Sequence, residues 1–163
     1  CSVAVHHLVL TDEKLEGFDT RLKVSPPLRD EENRKALIQG VIDGTIDMIT
    51  SDHNPLDIEH KKMEFDLAKN GTIGFESAFG ALLNVLPLDV IIAKLTNGKA
   101  TFGIENSAIK EGEAADLTFF NPNTEWTFGK ENMLSKSKNS AFIGEKMIGK
   151  VYGIYNNGTL ILA

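Results

Sequence analysis

Ile46-Asp47-Met48-Ile49-Thr50-Ser51, followed at once by Asp52-His53-Asn54-Pro55, is the stretch whose reading decides the fold. Ile46, Met48 and Ile49 form a short, largely apolar run, which reads as a buried strand. The polar cluster behind it, closed by Pro55, ends that strand. Just upstream, Asp30 precedes a helical pattern in which Leu37, Ile38, Val41 and Ile42 recur at helix spacing, and Gly44 stops it after Asp43. A helix feeding a buried strand is half of a βα unit, the repeat of parallel α/β folds.

The same alternation extends outward. Val3–Leu10 is apolar and β-branched apart from His6-His7, and reads as a strand; Leu22–Ser25 reads as a shorter one, halted by Pro26-Pro27. Leu56–Asn70 is polar and charged, a long loop or lid with a short helix. Gly74–Val85 predicts a helix with Phe79, Leu82 and Leu83 inward, Leu88–Leu95 another after Pro87, and Thr96–Phe102 a third, short one. Beyond residue 102 the pattern changes. Gly112–Asp116 turns into a strand, Leu117–Phe120, which Pro122 is expected to end; Trp126–Phe128 is a further strand candidate. Lys150–Tyr155 and Thr159–Leu162 flank Asn156-Asn157-Gly158, a hairpin signal. The expected division is an α/β part over residues 1–102 and a small β domain over 103–163.

Composition narrows the function classes. The chain has 163 residues, 42% hydrophobic and 25% charged, with a net charge of −6, as in a globular protein. Its Lys and Arg residues are scattered among acids, so no basic stripe exists to neutralise phosphates. No apolar run approaches the roughly 20 residues that span a bilayer. The single cysteine, Cys1, cannot form an internal disulfide, which fits a reducing, cytoplasmic compartment. The chain opens without Met, inside what reads as a strand, and is expected to be a fragment of a longer protein.

Asp52 is the sharpest candidate for chemistry. It stands at the C-terminal end of a buried strand, where parallel α/β folds gather ligands and catalytic groups. A carboxylate there can bind a metal or act as general base. It can equally cap the turn that follows, accepting backbone N–H groups. His53 reads as a hydrogen-bonded structural residue and His60 as a solvated one. On a strand, His6 and His7 would point to opposite faces and could not share a metal. A zinc site needs three or four ligands, and Asp52 alone has a persuasive location. Either no metal is bound or most of its ligands lie outside the chain.

Several blocks, in order, carry a resemblance. Lys23–Arg29, Asp43–Asp47 and Ser51–Pro55 resemble consecutive segments of bacterial dihydroorotases. Gly71–Ala78 is similar to that family's Gly-rich segment, and Lys94-Leu95-Thr96 leads toward Gly112 and Ala115-Asp116-Leu117 as in its closing β segment. Asn139–Gly144 and Gly149-Lys150-Val151 resemble its tail, while His6-His7-Leu8 resembles a strand that carries no metal ligand.

The resemblance implies the C-terminal part of a zinc-dependent (β/α)8 TIM-type barrel, with a small β-sandwich-like domain. A barrel takes about 250 residues, more than the α/β part provides. One or two zinc ions are expected, with most ligands preceding Cys1. Asp52 would be the last metal ligand and the catalytic acid–base in the reversible hydrolysis of dihydroorotate to carbamoyl aspartate. A hydroxide activated by the metal would attack the ring amide carbonyl, and Asp52 would carry its proton to the leaving nitrogen. Ser25 stands where the family often has a substrate-binding Asn, and Asn70 and Gly71 where backbone groups contact the pyrimidine ring. Leu56 departs from the pattern: the family places a substrate-binding His there.

Three functions follow from these residues: dihydroorotase, a non-catalytic dihydroorotase-like partner of aspartate transcarbamoylase, favoured by Leu56, or a hydantoinase or dihydropyrimidinase, favoured by Ser25. A homodimer and no nucleic-acid or membrane partner complete the expectation.

Overall fold

The computed structural model of the chain describes residues 1–104 and 109–162. Strand β1 (Ser2–Ala4) lies parallel to β2 (Met48–Thr50), pairing Ser2 with Met48, Val3 with Ile49 and Ala4 with Thr50. The crossover between them contains helix α1 (Val5–Val9), two 3-10 turns and helix α2 (Glu31–Asp43). Both ends of α2 follow the reading above. The Asp30 carboxylate accepts the Asn33 N–H at 2.9 Å, and Gly44 closes the helix at φ 89°.

Two expected strands are shorter or absent. The run after Val3 leaves the sheet at Ala4 and turns into α1, where Val5, His6 and Leu8 are buried. β-branched residues favour a strand only where a partner strand runs alongside, and β2 ends at Thr50, opposite Ala4. Likewise Thr20–Leu22 forms a 3-10 turn capped by Asp19, whose side chain accepts the Arg21 N–H, in place of a strand at Leu22–Ser25. The Leu56–Asn70 segment is the expected loop with one short turn, Ile58–His60. It is pinned from below by Lys61, which is buried and donates to the carbonyls of Thr20 (2.9 Å) and Lys23 (3.1 Å).

Helix α3 (Phe75–Leu82), α4 (Leu88–Thr96) and α5 (Gly98–Thr101) follow. Strands β3 (Leu117–Thr127), β4 (Lys146–Asn156) and β5 (Thr159–Leu162) then form an antiparallel sheet in the order β3-β4-β5. Pro122 does not end β3. The ladder shifts register between Asn121 and Glu125, so the residue without an N–H sits where no ladder bond is required. The β4–β5 hairpin turns through Asn157 (φ 48°) and Gly158 (φ 74°), the left-handed pair that such turns require.

One buried cluster joins the two parts. Val3, Leu8, Ile49, Ile73 and Leu82 belong to it together with Phe128, Phe142 and Met147. Helix α3 is the hinge of that packing: the rings of Phe79 and Phe120 meet edge-on at 4.8 Å, and a Cβ on Gly80 would sit 3.0 Å from Met147 Cβ.

Candidate active site

The register of the parallel pair sets the geometry. Ala4 and Thr50 are the last paired residues, so His6 and Asp52 each lie two residues beyond the ladder, at the same end. His6 Nε2 stands 3.8 Å from Asp52 Oδ2. Asp52 has a left-handed backbone, φ 45°, a conformation that Asp tolerates better than most residues. Its N–H donates to Thr50 Oγ1 at 3.2 Å. Its carboxylate is half-exposed, and among the described residues it accepts no backbone N–H.

His6 is fully buried, and among the described residues neither ring nitrogen has a hydrogen-bond partner. Burial, with His7 adding, pushes its pKa down to about 3, so the ring is neutral near pH 7. The contact with Asp52 is therefore between a carboxylate and a neutral imidazole. The adjacent His7 ring is 4.3 Å away, and its Nε2 lies 2.9 Å from the Pro26 carbonyl. That bond ties α1 to the segment carrying Ser25, which is exposed and joined to Pro26 by a cis peptide. Sequence reasoning did not select His6. A strand running through Leu10 would have sent it to one face of a sheet; its position just past a strand end became visible only once that strand stopped at Ala4.

Gly71 joins this neighbourhood from the other side. Its N–H donates to the Lys23 carbonyl at 3.0 Å, two residues before Ser25. Its own carbonyl accepts from Asn139 Nδ2 at 3.0 Å. The N–H is thus spoken for, and the carbonyl keeps one lone pair for a ligand. At φ 141° Gly71 occupies backbone space that only glycine enters freely, and a Cβ would lie 2.8 Å from Asn54 Nδ2 and 3.2 Å from Leu56 Cδ1. Asn70 beside it is exposed. Leu56 borders a cleft of about 490 Å³ whose wall includes Lys62, Lys130, Lys136 and Lys138.

His53 does a different job. Its Nδ1 accepts the N–H groups of both Gly74 (3.2 Å) and Phe75 (3.3 Å), and its ring stacks on Phe75 at 4.2 Å. The ring proton is therefore on Nε2, which faces Ser135 Oγ at 3.4 Å. Ser135 Oγ donates to Glu76 Oε1 at 2.6 Å. Burial pushes the Glu76 carboxyl up, but the Ser135 hydrogen bonds, with its own backbone and His53 adding, hold it below its ordinary value. The start of α3 is thereby clamped against the end of β2. Gly74 makes the approach possible, since a Cβ there would fall 2.3 Å from the Ser51 carbonyl. His60 is half-buried, its Nε2 3.2 Å from Lys69 Nζ.

Among the described residues, no three His, Cys, Asp or Glu side chains converge to hold a metal ion. Asp52 and His6 offer two donors, short of the three or four that a zinc site needs. The described residues do not by themselves fit a complete metal centre.

No family model matches the chain. It is 44% identical over 152 residues to a dihydroorotase of Endomicrobium trichonymphae, covering 88% of this chain and 36% of that protein. It is 39% identical over 163 residues to the dihydroorotase of Caldicellulosiruptor saccharolyticus, covering 96% and 38%. The chain thus spans about two-fifths of the curated relatives it matches. An L-hydantoinase (dihydropyrimidinase) from Arthrobacter aurescens superposes with a TM-score of 0.90 at 24% identity, over 99% of this chain and 39% of its own. An inactive dihydroorotase-like domain from the CAD-like multifunctional protein of Chaetomium thermophilum gives 0.67 at 19%, over 98% and 42%. These likenesses place the mixed α/β fold among amidohydrolase TIM-barrel proteins. Over nearly its whole length, then, the chain is similar in sequence to dihydroorotases and in fold to hydantoinases, both of them cyclic amidohydrolases.

Proposed function

We propose that the protein containing this chain is a cytoplasmic dihydroorotase, catalysing reversible hydrolysis of the cyclic amide of dihydroorotate to N-carbamoyl-L-aspartate in pyrimidine biosynthesis. The sequence identity to dihydroorotases along nearly the whole chain carries this reading. The Asp52 carboxylate, past the end of β2 and accepting no backbone N–H among the described residues, agrees with it. Asp52 takes up a proton from the attacking water and returns it to the leaving ring nitrogen. Ser25, Asn70 and the free lone pair of Gly71 orient the ring, and their segments are already tied together through Lys23 and Pro26.

Asp52 also contributes one ligand to a zinc centre of one or two ions, whose other ligands lie outside this chain. When bound there, such a metal would supply a water of lowered pKa and Lewis acidity toward the scissile carbonyl. A homodimer is compatible with this reading.

One observation favours a second reading. Leu56 cannot donate a hydrogen bond to a charged substrate group, which points to a non-catalytic dihydroorotase-like partner of aspartate transcarbamoylase. A likeness to an inactive dihydroorotase-like domain of a multifunctional protein agrees with that alternative. Ser25 mildly favours a hydantoinase. Assay of the full-length protein with zinc decides among them. Turnover of dihydroorotate and not hydantoin supports the first reading; hydantoin turnover supports the third; inertness toward both leaves the non-catalytic partner.

A further inference from the structure

An imidazole buried with neither nitrogen partnered is costly. An unsatisfied buried polar group loses about 1–3 kcal/mol relative to its hydrated state, and native structures rarely keep one without a reason. His6 is such a group, and it lies two residues past β1, facing the Asp52 carboxylate two residues past β2. His7 beside it is already used, on the Pro26 carbonyl. His6 Nε2 lies 3.8 Å from Asp52 Oδ2. The carboxylate is half-exposed and has no competing partner among the described residues, so a small side-chain rotation closes the gap. Catalytic hydrogen bonds are commonly long before substrate arrives.

We propose that His6 is a positioning residue for Asp52: its Nε2–H donates to Oδ2, fixes the plane of the carboxylate and leaves Oδ1 for the proton Asp52 takes and gives. The catalytic half of this proposal rests on the acid–base reading of Asp52; the hydrogen bond itself does not.

Two measurements on the full-length protein test it. Histidine-ring ¹⁵N NMR of the metal-free protein should show His6 protonated on Nε2 and bare on Nδ1, with the Nε2 signal displaced by Asp52→Asn. A ring protonated only on Nδ1, or a signal that Asp52→Asn leaves in place, overturns the proposal. In kinetics, His6→Phe should lower kcat about 10- to 100-fold with KM within about two-fold, the scale of losing a group that orients another. His6→Gln, which again offers an N–H, should regain most of that loss. Full activity in His6→Phe, or a folded His6→Gln as slow as His6→Phe, refutes the role. If the wild-type protein does not turn over dihydroorotate, the functional reading fails while the NMR result still decides the hydrogen bond. If His6→Phe does not fold, the NMR result and His6→Gln decide.

Discussion

The parallel pair and the antiparallel sheet of this chain divide the labour. Strand β1 has 3 residues and ends as soon as its partner does, whereas β3 and β4 have 11 each and pair along most of their length. Every residue in the proposed site lies on the first side. His6 and Asp52 stand just past strand ends, Ser25, Asn70 and Gly71 on loops tied to them. A ladder consumes backbone groups and sends side chains to alternate faces. A strand end frees the chain to turn, so neighbouring parallel strands deliver side chains to one mouth. Substitutions on the first side should therefore change chemistry with little effect on stability, and those in the antiparallel sheet the reverse.

The largest separation is expected for Asp52→Asn. An amide cannot take up the proton, so kcat of the full-length protein should fall about 10²- to 10⁴-fold. Because among the described residues the carboxylate holds no backbone N–H, urea denaturation should register a change within about 0.5 kcal/mol. Gly74→Ala breaks the division on purpose. Its Cβ would strike the Ser51 carbonyl at 2.3 Å, next to Asp52. It should cost about 3 kcal/mol, in the range of overpacked sites, and take activity with it. A stable, active Gly74→Ala would show that the α3 clamp is looser than described.

Lys61 sharpens the comparison through pH. Burial, with Lys23 adding and Asp19 opposing, lowers its pKa to about 8. The unfolded chain holds that proton up to its ordinary value near 10.5. Folding thus carries a penalty for the charged ammonium, complete below about 8. Stability should rise between pH 8 and 10.5, by on the order of 1–3 kcal/mol. Lys61→Met should flatten that slope in denaturation curves, while a slope equal to wild type would place the rise elsewhere.

Smaller effects come next. Leu56→His in the full-length protein should tighten dihydroorotate binding about 10- to 150-fold, the value of a charge-assisted hydrogen bond of about 1.5–3 kcal/mol. No tightening in a calorimetric titration would show that the lysine-walled cleft does not meet the substrate there. Gly158→Ala, at φ 74° in open space, should cost about 1 kcal/mol and leave kcat untouched, because a Cβ there would meet nothing within 4 Å.

Elements set by local chemistry were legible in advance. The Asp30 cap, the Gly44 stop, the helix after Pro87 and the Asn157-Gly158 turn all sit where their residues place them. Each depends on a bond or a dihedral within a few residues. The Val3–Leu10 run misled for the opposite reason, since whether such residues extend or coil is settled by the length of the strand beside them. Pro122 misled because the register shift between Asn121 and Glu125 released it from donating.

By itself, the sequence determined the α/β-then-β order, the capped helices and the stretch that brings Asp52 to a strand end, because periodicity and turn residues act over short distances. Only the tertiary structure decided that His6 faces Asp52, that His53 clamps α3 and that Lys61 is buried. Those outcomes depend on which distant segments close over a side chain, and burial is a property of the packed chain, not of any residue in it.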